Sequence, residues 1–328
     1  MNKETKLRWG LLSTARINKA LIEPLRHSDR NELVAVASRS SQNAVAYAKE
    51  WGIPRAHGSY EASLADPDID VIYNPLPNSL HTEWTIKAAH AGKHVLCEKP
   101  LALSVEDVDA MIEAANSTGV TITEAFMYRH HPQTLKVKEL VEEGAIGDLQ
   151  LIRGSFSFYL ERGADIRLEP DLGGGSIWDV GCYPISYARY IAGGEPKEVF
   201  GWQVSSALGV DLIFAGQMRF ANGVLAQFDS SFRTPIRTHI EITGSKGAIT
   251  IPTPFTPKVN ESVILQRGQA SETLKIAGEM LYLGEVEDLA DAVLLGKPPL
   301  ISLEHSRANV ATILALLQSA KLGKPVPI

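Results

Sequence analysis

The first 126 residues alternate between short apolar runs and longer stretches whose apolar positions recur at helical spacing, as Ala44, Ala48 and Trp51 do. The apolar runs predict strands at Leu7–Leu12, Glu32–Ala37, Val71–Tyr73, His94–Cys97 and Val120–Ala125. The stretches between them predict helices at Asn18–His27, Ser41–Trp51, His81–Ala91 and Val105–Thr118. Continuously apolar strands separated by helices predict a doubly wound parallel sheet, with a ligand crevice at the carboxyl ends of its strands.

The pattern changes after Phe126, where strands follow one another. Alternation in segments such as Gln227–Phe232 is typical of strands with one buried face, and Asn222–Gly223 predicts a hairpin turn. Strands are predicted at Leu149–Tyr159, Glu198–Ser205, Asp211–Phe220, Val224–Phe232 and His239–Ile251, and helices at Glu285–Leu295 and Glu304–Ser319. We therefore expect an α/β protein of two domains: an N-terminal Rossmann domain with a doubly wound parallel sheet at residues 1–127, and a C-terminal α+β domain at 128–328 with a large, mostly antiparallel open sheet.

Composition and charge narrow the range of partners. The formal net charge is −6 and short basic clusters are absent from the sequence, which argues against nucleic acid. No apolar run approaches the roughly 18 residues that a membrane span needs, and the polar start of the chain is unlike a signal peptide. Cys97 and Cys182 have no metal-ligand spacing. We therefore expect a cytoplasmic protein that binds a small molecule and needs no nucleic acid, membrane or metal.

The loop after the first strand departs from the glycine-rich dinucleotide fingerprint. Ser13, Ala15 and Asn18 stand where that fingerprint has glycines, although all three are small enough to allow close approach of a ligand. Hydroxyl and guanidinium groups in the loop could contact phosphate oxygens, as could the backbone N–H groups at the helix start. The candidate pyrophosphate-binding residues are Ser13, Thr14, Ala15, Arg16 and Ile17.

The end of the second strand bears on the choice of cofactor. A carboxylate at this turn accepts the ribose 2′-hydroxyl of NAD, whereas an arginine accommodates the 2′-phosphate of NADP. The sequence has Ser38, Arg39 and Ser40 here, without an acid in reach of the turn. Within a nucleotide-binding fold this favours NADP as the cofactor and leaves NAD possible.

Two motifs could carry the chemistry. Glu98–Pro100 ends the fourth strand, where Lys99 could hold a substrate hydroxyl and lower the pKa of a neighbouring acid. The second motif is Gly173–Gly175, followed by a helix on which Asp179 and Tyr183 are four residues apart and therefore on one face. A phenol beside an ammonium can exchange a proton with a carbinol/carbonyl pair. Taken singly, Asp179 could instead serve the helix N-terminus, Tyr183 the core, and Lys99 the solvated surface.

Together the two motifs resemble the Gfo/Idh/MocA oxidoreductases, named after glucose-fructose oxidoreductase, inositol dehydrogenase and rhizopine catabolism. The resemblance covers essentially the whole chain. It implies that Lys99, Asp179 and Tyr183 form the catalytic group and bind the substrate. With tyrosine at 183, the chain is most similar to the branch of glucose-fructose oxidoreductase, NADP-dependent xylose dehydrogenases and dimeric dihydrodiol dehydrogenases. The resemblance also implies a cofactor at the Rossmann crevice and a substrate against the sheet domain.

The resemblance implies further contacts around the nicotinamide ribose, because the segment from Tyr73 to His81 is similar to the family's stretch at that position. The cofactor-binding candidates that follow are Asn74, Pro75, Leu76, Asn78, His81, Glu98 and Lys99. For His81, a place at a helix N-terminus is the alternative. Arg162 and Arg167 precede the triple glycine and could bind substrate oxygens, with a solvated loop arginine as the alternative.

The sequence thus predicts an NADP(H)-dependent oxidoreductase that moves a hydride between nicotinamide and a carbinol or carbonyl carbon of a sugar or polyol, as an aldose 1-dehydrogenase or a keto-sugar reductase does. A trans-dihydrodiol dehydrogenase is an alternative, and nucleotide-linked sugars stay open as substrates. From another class, a non-catalytic NADP(H)-sensing regulator would bind the cofactor without turnover. A methyltransferase is disfavoured, since Lys99 and an added sheet domain would have no role there. The open sheet predicts a homodimer or homotetramer.

Overall fold

The chain divides into two compact units, and the computed structural model describes residues 6–161 and 165–328. One unit runs up to Met127 and includes Tyr282–Arg307, and the other comprises Tyr128–Leu281 and Ala308–Ile328. Within the described ranges, no helix combines the length and the apolar character needed to cross a membrane.

Strands and helices alternate in the first part of the chain, and strands dominate the second. The strands are β1 Leu7–Leu12, β2 Asn31–Ala37, β3 Arg55–His57, β4 Val71–Asn74, β5 His94–Glu98, β6 Ile122–Ala125, β7 Leu149–Tyr159, β8 Pro196–Ser205, β9 Asp211–Phe220, β10 Leu225–Ser231, β11 Arg233–Gly244, β12 Gly247–Ile251, β13 Asn260–Arg267, β14 Ala270–Ala277 and β15 Val326–Pro327. The helices are α1 Asn18–His27, α2 Ser41–Trp51, α3 Tyr60–Leu64, α4 His81–His90, α5 Val105–Thr118, α6 Pro132–Glu142, α7 Cys182–Ala192, α8 Leu283–Leu295 and α9 Leu303–Leu322.

The first unit is built on a six-stranded parallel sheet with the order β3-β2-β1-β4-β5-β6. Its strands are fully apolar in the middle, and Trp9, Leu11 and Val36 have no exposed surface. Each such side chain contributes about 1.5–3 kcal/mol when it leaves water. Because all strands are parallel, the loops that follow β1, β2, β4 and β5 leave the sheet at one edge. The predicted Rossmann fold is confirmed.

The second unit contains a nine-stranded sheet with the order β14-β13-β12-β11-β7-β10-β9-β8-β15. The pair β7–β10 is parallel, and the other described pairs are antiparallel. The predicted turn at Asn222–Gly223 joins β9 to β10 in an antiparallel hairpin, with Gly223 at φ 86°. The prediction of a mostly antiparallel sheet is therefore confirmed.

One face of this sheet is covered by helices. At Gly154 a Cβ would lie 2.8 Å from Pro184 of α7, and at Gly201 it would lie 2.9 Å from the carbonyl oxygen of Leu316 in α9. The missing side chains thus let both helices approach the strands closely. On the other face, Trp202 is 66% exposed, and Arg153 and Gln217 alternate with buried residues of their strands.

The structure corrects one predicted strand. The segment His239–Ile251, predicted as a single strand, forms the end of β11 and the whole of β12, which pair antiparallel with Ile240 opposite Ile251. The chain turns at Ser245 and Lys246, whose backbone N–H groups donate to the carbonyls of Asp148 and Ile146. Apolar alternation continues on both sides of this turn, so the pattern alone does not reveal it.

Other elements carry no strong periodic pattern and were not predicted. They include the short pair β3 and α3, the helix α6 and the hairpin β13–β14. In β14 most side chains are exposed or half-buried, which removes the alternation that marks a strand. Helix α6 begins with Pro132 after His131, whose side chain accepts a hydrogen bond from the backbone N–H of Gln133.

Helix α8 belongs to the first unit, although the sequence analysis assigned it to the second domain. Val286, Leu289 and Ala290 of α8 join the apolar cluster that includes Trp9 and Leu21. The apolar stripe of the helix is therefore buried against the parallel sheet unit, which explains why the segment Tyr282–Arg307 clusters with it.

Glu285 on α8 is 1% exposed, and neither carboxyl oxygen has a hydrogen-bond partner among the described residues. Burial raises the pKa of Glu285 well above its ordinary value, and the nearby carboxylates of Glu98 and Asp288 raise it further. The carboxyl group is therefore held in its neutral form within the core.

We expect Glu285→Gln to stabilise the protein increasingly as the pH rises above about 4.5, the ordinary pKa of a glutamate. The raised pKa means that the folded state retains a proton that the unfolded chain releases, so the free energy of unfolding of the wild type falls over this range. Glutamine carries no such penalty. Urea unfolding at pH 5 and pH 8 measures the difference, with the exposed Glu113→Gln as control. An equal effect at both pH values would contradict the prediction.

Candidate active site

The turn after β5 is fixed by buried polar groups of the first unit. The Tyr73 hydroxyl donates to Glu98 Oε1 at 2.6 Å, and the Leu101 backbone N–H donates to Glu124 Oε1 at 2.8 Å. Glu124 has no exposed surface, and the Lys99–Pro100 peptide bond is cis. Lys99 thus follows β5 at the carboxyl edge of the sheet, in a turn whose neighbours are held by these hydrogen bonds.

His81 is completely buried at the start of α4 and connects two loops. Its ring nitrogens lie 2.8 Å from the carbonyl oxygens of Pro100 and Leu76. Burial lowers the pKa of His81 to about 4, and the positive charge of Lys99 contributes to the decrease. The two hydrogen bonds oppose this decrease, and they join the two predicted cofactor-binding segments through the ring. It is also a helix N-terminal residue, which was the alternative role.

The loop after β1 contains one backbone conformation that favours glycine, although a serine stands there. Ser13 has φ 82°, a left-handed conformation that a serine rarely adopts. The Ser13 backbone N–H donates to the carbonyl oxygen of Ala37, and the Ser13 carbonyl accepts from Asn18 Nδ2 at 2.9 Å. The Ser13 Oγ is buried and has no hydrogen-bond partner among the described residues. Thr14, Ala15 and Ile17 are half-buried beside it, and Arg16 is exposed.

The loop after β2 presents the predicted 2′-phosphate residues. Ser40 is the N-cap of α2, since its hydroxyl accepts from the Asn43 backbone N–H at 3.3 Å. Arg39 is exposed and lies against the hydroxyl of Tyr60. Burial raises the pKa of Tyr60, and the Arg39 guanidinium opposes that increase. A charged arginine with a tyrosine beside it can receive a phosphate group at this turn.

The loop after β4 is ordered by its own amide side chain. Asn74 has no exposed surface, and its Nδ2 donates to the His81 carbonyl at 3.2 Å and to Thr85 Oγ1 at 3.1 Å. Pro75 and Leu76 are buried, whereas Asn78 is half-buried at the start of a short 3₁₀ helix. Asn74, the last residue of β4, is thus bound to helix α4 beyond the loop.

In the second unit, Asp179 lies in a π-helical turn, Ile177–Gly181, that leads directly into α7. The four-residue spacing of Asp179 and Tyr183 predicts an ordinary helix there. Arg167 Nε donates to Asp179 Oδ2 at 2.7 Å, and Arg167 Nη1 contacts Asp165 at 3.2 Å. Burial lowers the pKa of Arg167, but the two carboxylates outweigh it and raise the pKa overall. The structure thus brings together Arg167 and Asp179, two of the predicted substrate-binding residues.

Tyr183 lies in the first turn of α7 and is 6% exposed. Its ring centroid is 5.3 Å from that of Phe156, 5.5 Å from Phe255 and 5.8 Å from Tyr128. The aromatic neighbours fix the direction of the phenol and exclude water from its ring.

Sequence reasoning missed the residues that hold the predicted ones. Glu124 and Phe255 carry no motif, and their role depends on contacts with residues far away in the chain. Tyr73 begins the segment that resembles the family, but its bond to Glu98 is not visible in the sequence, and Asp165 contacts Arg167 two residues later. Arg162, a weaker substrate-binding candidate, lies outside the described residues. In the described part of the chain, no group of histidine, cysteine and acidic side chains has the arrangement of a metal site.

Comparisons with known proteins cover both units. Residues 7–126 match the oxidoreductase family with an NAD-binding Rossmann fold, and residues 134–250 match the GFO/IDH/MocA C-terminal domain. A D-xylose 1-dehydrogenase (NADP(+)) of Haloferax volcanii is 38% identical over 98% of this chain and 99% of the relative. A trans-1,2-dihydrobenzene-1,2-diol dehydrogenase of Xenopus laevis is 31% identical over 94% and 96%. A 3-ketoreductase of Actinomadura kijaniata, solved with NADP and TDP-benzene, has a TM-score of 0.91 at 29% identity and covers 96% of this chain and 98% of its own.

We expect Ser13→Gly to be more stable than Ser13→Ala by about 1 kcal/mol, the cost of holding a side chain in the left-handed region. Both variants remove the buried hydroxyl, so their difference isolates the backbone conformation at φ 82°. Thermal and urea unfolding of the three proteins measure it. Equal stability of the glycine and alanine variants would show that the loop relaxes in solution.

Proposed function

Because the chain belongs to the GFO/IDH/MocA family of oxidoreductases, we propose that it transfers a hydride between NADP(H) and a carbinol or carbonyl carbon of a sugar or polyol. The observation that carries the proposal is the arrangement around α7. A tyrosine enclosed by aromatic rings stands one turn after an aspartate that is held by an arginine. Such a group can bind a polyhydroxylated substrate and exchange one proton with it.

The first unit would hold NADP(H) at the carboxyl edge of its sheet. The buried Ser13 Oγ, which has no partner among the described residues, fits a phosphate oxygen, and so do the backbone N–H groups at the start of α1. Arg39 and the serines beside it fit a 2′-phosphate at the end of β2. The nicotinamide supplies the hydride chemistry when the cofactor is bound.

Three side chains of the protein would serve the reacting hydroxyl. Tyr183 exchanges a proton with the substrate hydroxyl, since a phenol can act as an acid in reduction and as a base in oxidation. Lys99, the lysine that the family resemblance places in the catalytic group, would polarise the substrate oxygen. Asp179 accepts a hydrogen bond from a neighbouring substrate hydroxyl. The ion pair with Arg167 orients the Asp179 carboxylate for this contact.

Aldoses and keto-sugars are the substrates that we favour, and a trans-dihydrodiol is a second candidate. The observation that supports the second candidate is the set of half-buried rings beside the proposed site. Phe156 packs on Tyr183, and Phe158 lies 5.9 Å from the guanidinium of Arg167. Apolar rings of this kind can stack on a planar cyclic diol as well as on the apolar face of a sugar.

We expect Tyr183→Phe to reduce turnover by about 100-fold or more, in line with the loss of a general acid–base group. The assay follows nicotinamide absorbance with NADP⁺ or NAD⁺ and a panel of D-xylose, D-glucose and trans-1,2-dihydrobenzene-1,2-diol. NADPH binding, measured by fluorescence titration, should be unchanged.

Tyr187→Phe is the matched control, because it removes the hydroxyl of a fully buried tyrosine four residues further along the same helix. It should retain turnover. Wild-type turnover in Tyr183→Phe would refute its role, and tight NADPH binding without turnover on a broad panel would favour the regulator instead.

We also propose that two copies of the chain associate through the open face of the nine-stranded sheet, in a reducing compartment such as the cytoplasm. Trp202 and Val204 of β8 are 66% and 47% exposed, and Leu225 of β10 is 48% exposed. Large apolar side chains on a sheet face are typical of a protein interface. Cys97 and Cys182 are free thiols, which is compatible with that compartment.

We expect Trp202→Glu to convert the dimer or tetramer into smaller species, since it places a charge among apolar side chains of the interface. Size-exclusion chromatography with light scattering measures the mass. Leu208→Glu, in the turn after β8, is the control, because Leu208 is 60% exposed but lies off the strands. The same mass for wild type and both variants would contradict this interface.

A further inference from the structure

Asp211 is the first residue of β9 and is 3% exposed. Its Oδ2 accepts hydrogen bonds from the Ser176 hydroxyl at 2.5 Å and from the Ile177 backbone N–H at 2.9 Å. The Ser176 hydroxyl also lies 3.0 Å from that of Ser230 on β10. Side chains of β9 and β10 therefore hold Ser176 and Ile177, where the π-turn Ile177–Gly181 begins.

The triple glycine is shaped around this carboxylate. Gly175 has φ 127°, and a Cβ at this position would lie 2.4 Å from Asp211 Oδ1. A side chain at 175 would therefore displace the carboxylate that holds the helix start. On the preceding residue, Gly174, a Cβ would lie 2.6 Å from the carbonyl oxygen of Arg167, which itself accepts from the Gly175 backbone N–H.

The segment Gly174–Ile177 thus links strand β9, the loop of Arg167 and the turn of Asp179 within the second unit. It fixes the loop of Arg167, whose guanidinium binds Asp179, and it fixes the turn that carries Asp179. Tyr183 follows on the same helical segment, in the first turn of α7. A small displacement at residue 176 would therefore move both the aspartate and the tyrosine.

Burial disfavours the charged form of the Asp211 carboxylate. Burial raises the pKa of Asp211, and the hydrogen bonds from Ser176 and Ile177 oppose that increase. A negative charge at this position is favoured by the N-terminal end of the helix, whose first N–H groups point towards it. The hydrogen bonds of the Asp211 carboxylate to Ser176 and Ile177 connect strand β9 to the start of the helical segment.

We propose that Asp211 is a positioning residue, which holds the start of the helical segment so that Asp179 and Tyr183 meet the substrate in reactive geometry. The inference rests on the proposed function, because it assigns Asp211 a role through those two residues. A displacement of about 1 Å at a reacting group can lower turnover by about 100-fold.

The test compares Asp211→Asn and Asp211→Ala with the wild type, using the best substrate of the panel above. Asparagine keeps one oxygen acceptor and alanine keeps none, so we expect kcat to fall by about 10-fold and about 100-fold respectively. NADPH binding should be unchanged, since the cofactor is held by other residues. Asp148→Asn, an exposed aspartate immediately before β7, is the matched control and should leave kcat unchanged.

A second measurement separates positioning from a loss of folded protein. Asp211→Asn is combined with Tyr183→Phe, and residual turnover is followed at high enzyme concentration. If Asp211 acts through Tyr183 and Asp179, Asp211→Asn slows the Tyr183→Phe variant by a smaller factor than it slows the wild type, because only the positioning of Asp179 is then left to lose. If it only supports folding, Asp211→Asn lowers turnover by the same factor in both backgrounds, and the inference is overturned.

The outcomes also distinguish this inference from the proposed function. Wild-type kcat in Asp211→Asn and Asp211→Ala, together with a slow Tyr183→Phe, would overturn the role of Asp211 alone. Wild-type turnover in Tyr183→Phe would overturn the proposed function and this inference with it. Because Asp211→Asn retains most of the packing, it gives a result even if the alanine variant does not fold.

Discussion

Parallel pairing in the six-stranded sheet is the constraint on which the first unit depends. Because its strands run in one direction, the loops after β1, β2, β4 and β5 emerge at the same edge. The loops are then held by buried polar groups, such as His81 between the carbonyls of Leu76 and Pro100. Backbone geometry collects the candidate cofactor-binding residues at one edge, and a few side chains fix their positions there.

Unfavourable arrangements concentrate at this edge and near it. Ser13 adopts a left-handed backbone that glycine would adopt more easily, and Glu285 is buried as an acid beside the carboxylate of Glu98. Each costs stability that the apolar core around Trp9 and Leu11 must offset. Local conflicts of this kind are expected where a protein binds a ligand, because the ligand supplies the missing contacts.

In the second unit, side chains of the sheet fix the start of a helical segment. Asp211 and Ser230 are residues of neighbouring strands, and both contact Ser176 just before the π-turn. One turn later, the rings of Phe156 and Phe255 pack against Tyr183 and limit the direction of its phenol. The sheet sets where the helical segment begins, and side-chain packing sets where its functional groups point.

The sequence by itself determined β1, β2, β4, β5 and β6 with helices between them, though not β3 and α3. It also determined the antiparallel character of the second sheet and the motifs around Lys99, Asp179 and Tyr183. Hydrophobic periodicity and short motifs are local, and so they can be read along the chain. Only the tertiary structure decided that α8 joins the first unit, that His239–Ile251 contains a turn, and that Asp211 holds the start of a helix 34 residues before it. These depend on partners distant in sequence, whose residue types carry no signal until the chain folds and brings them into contact.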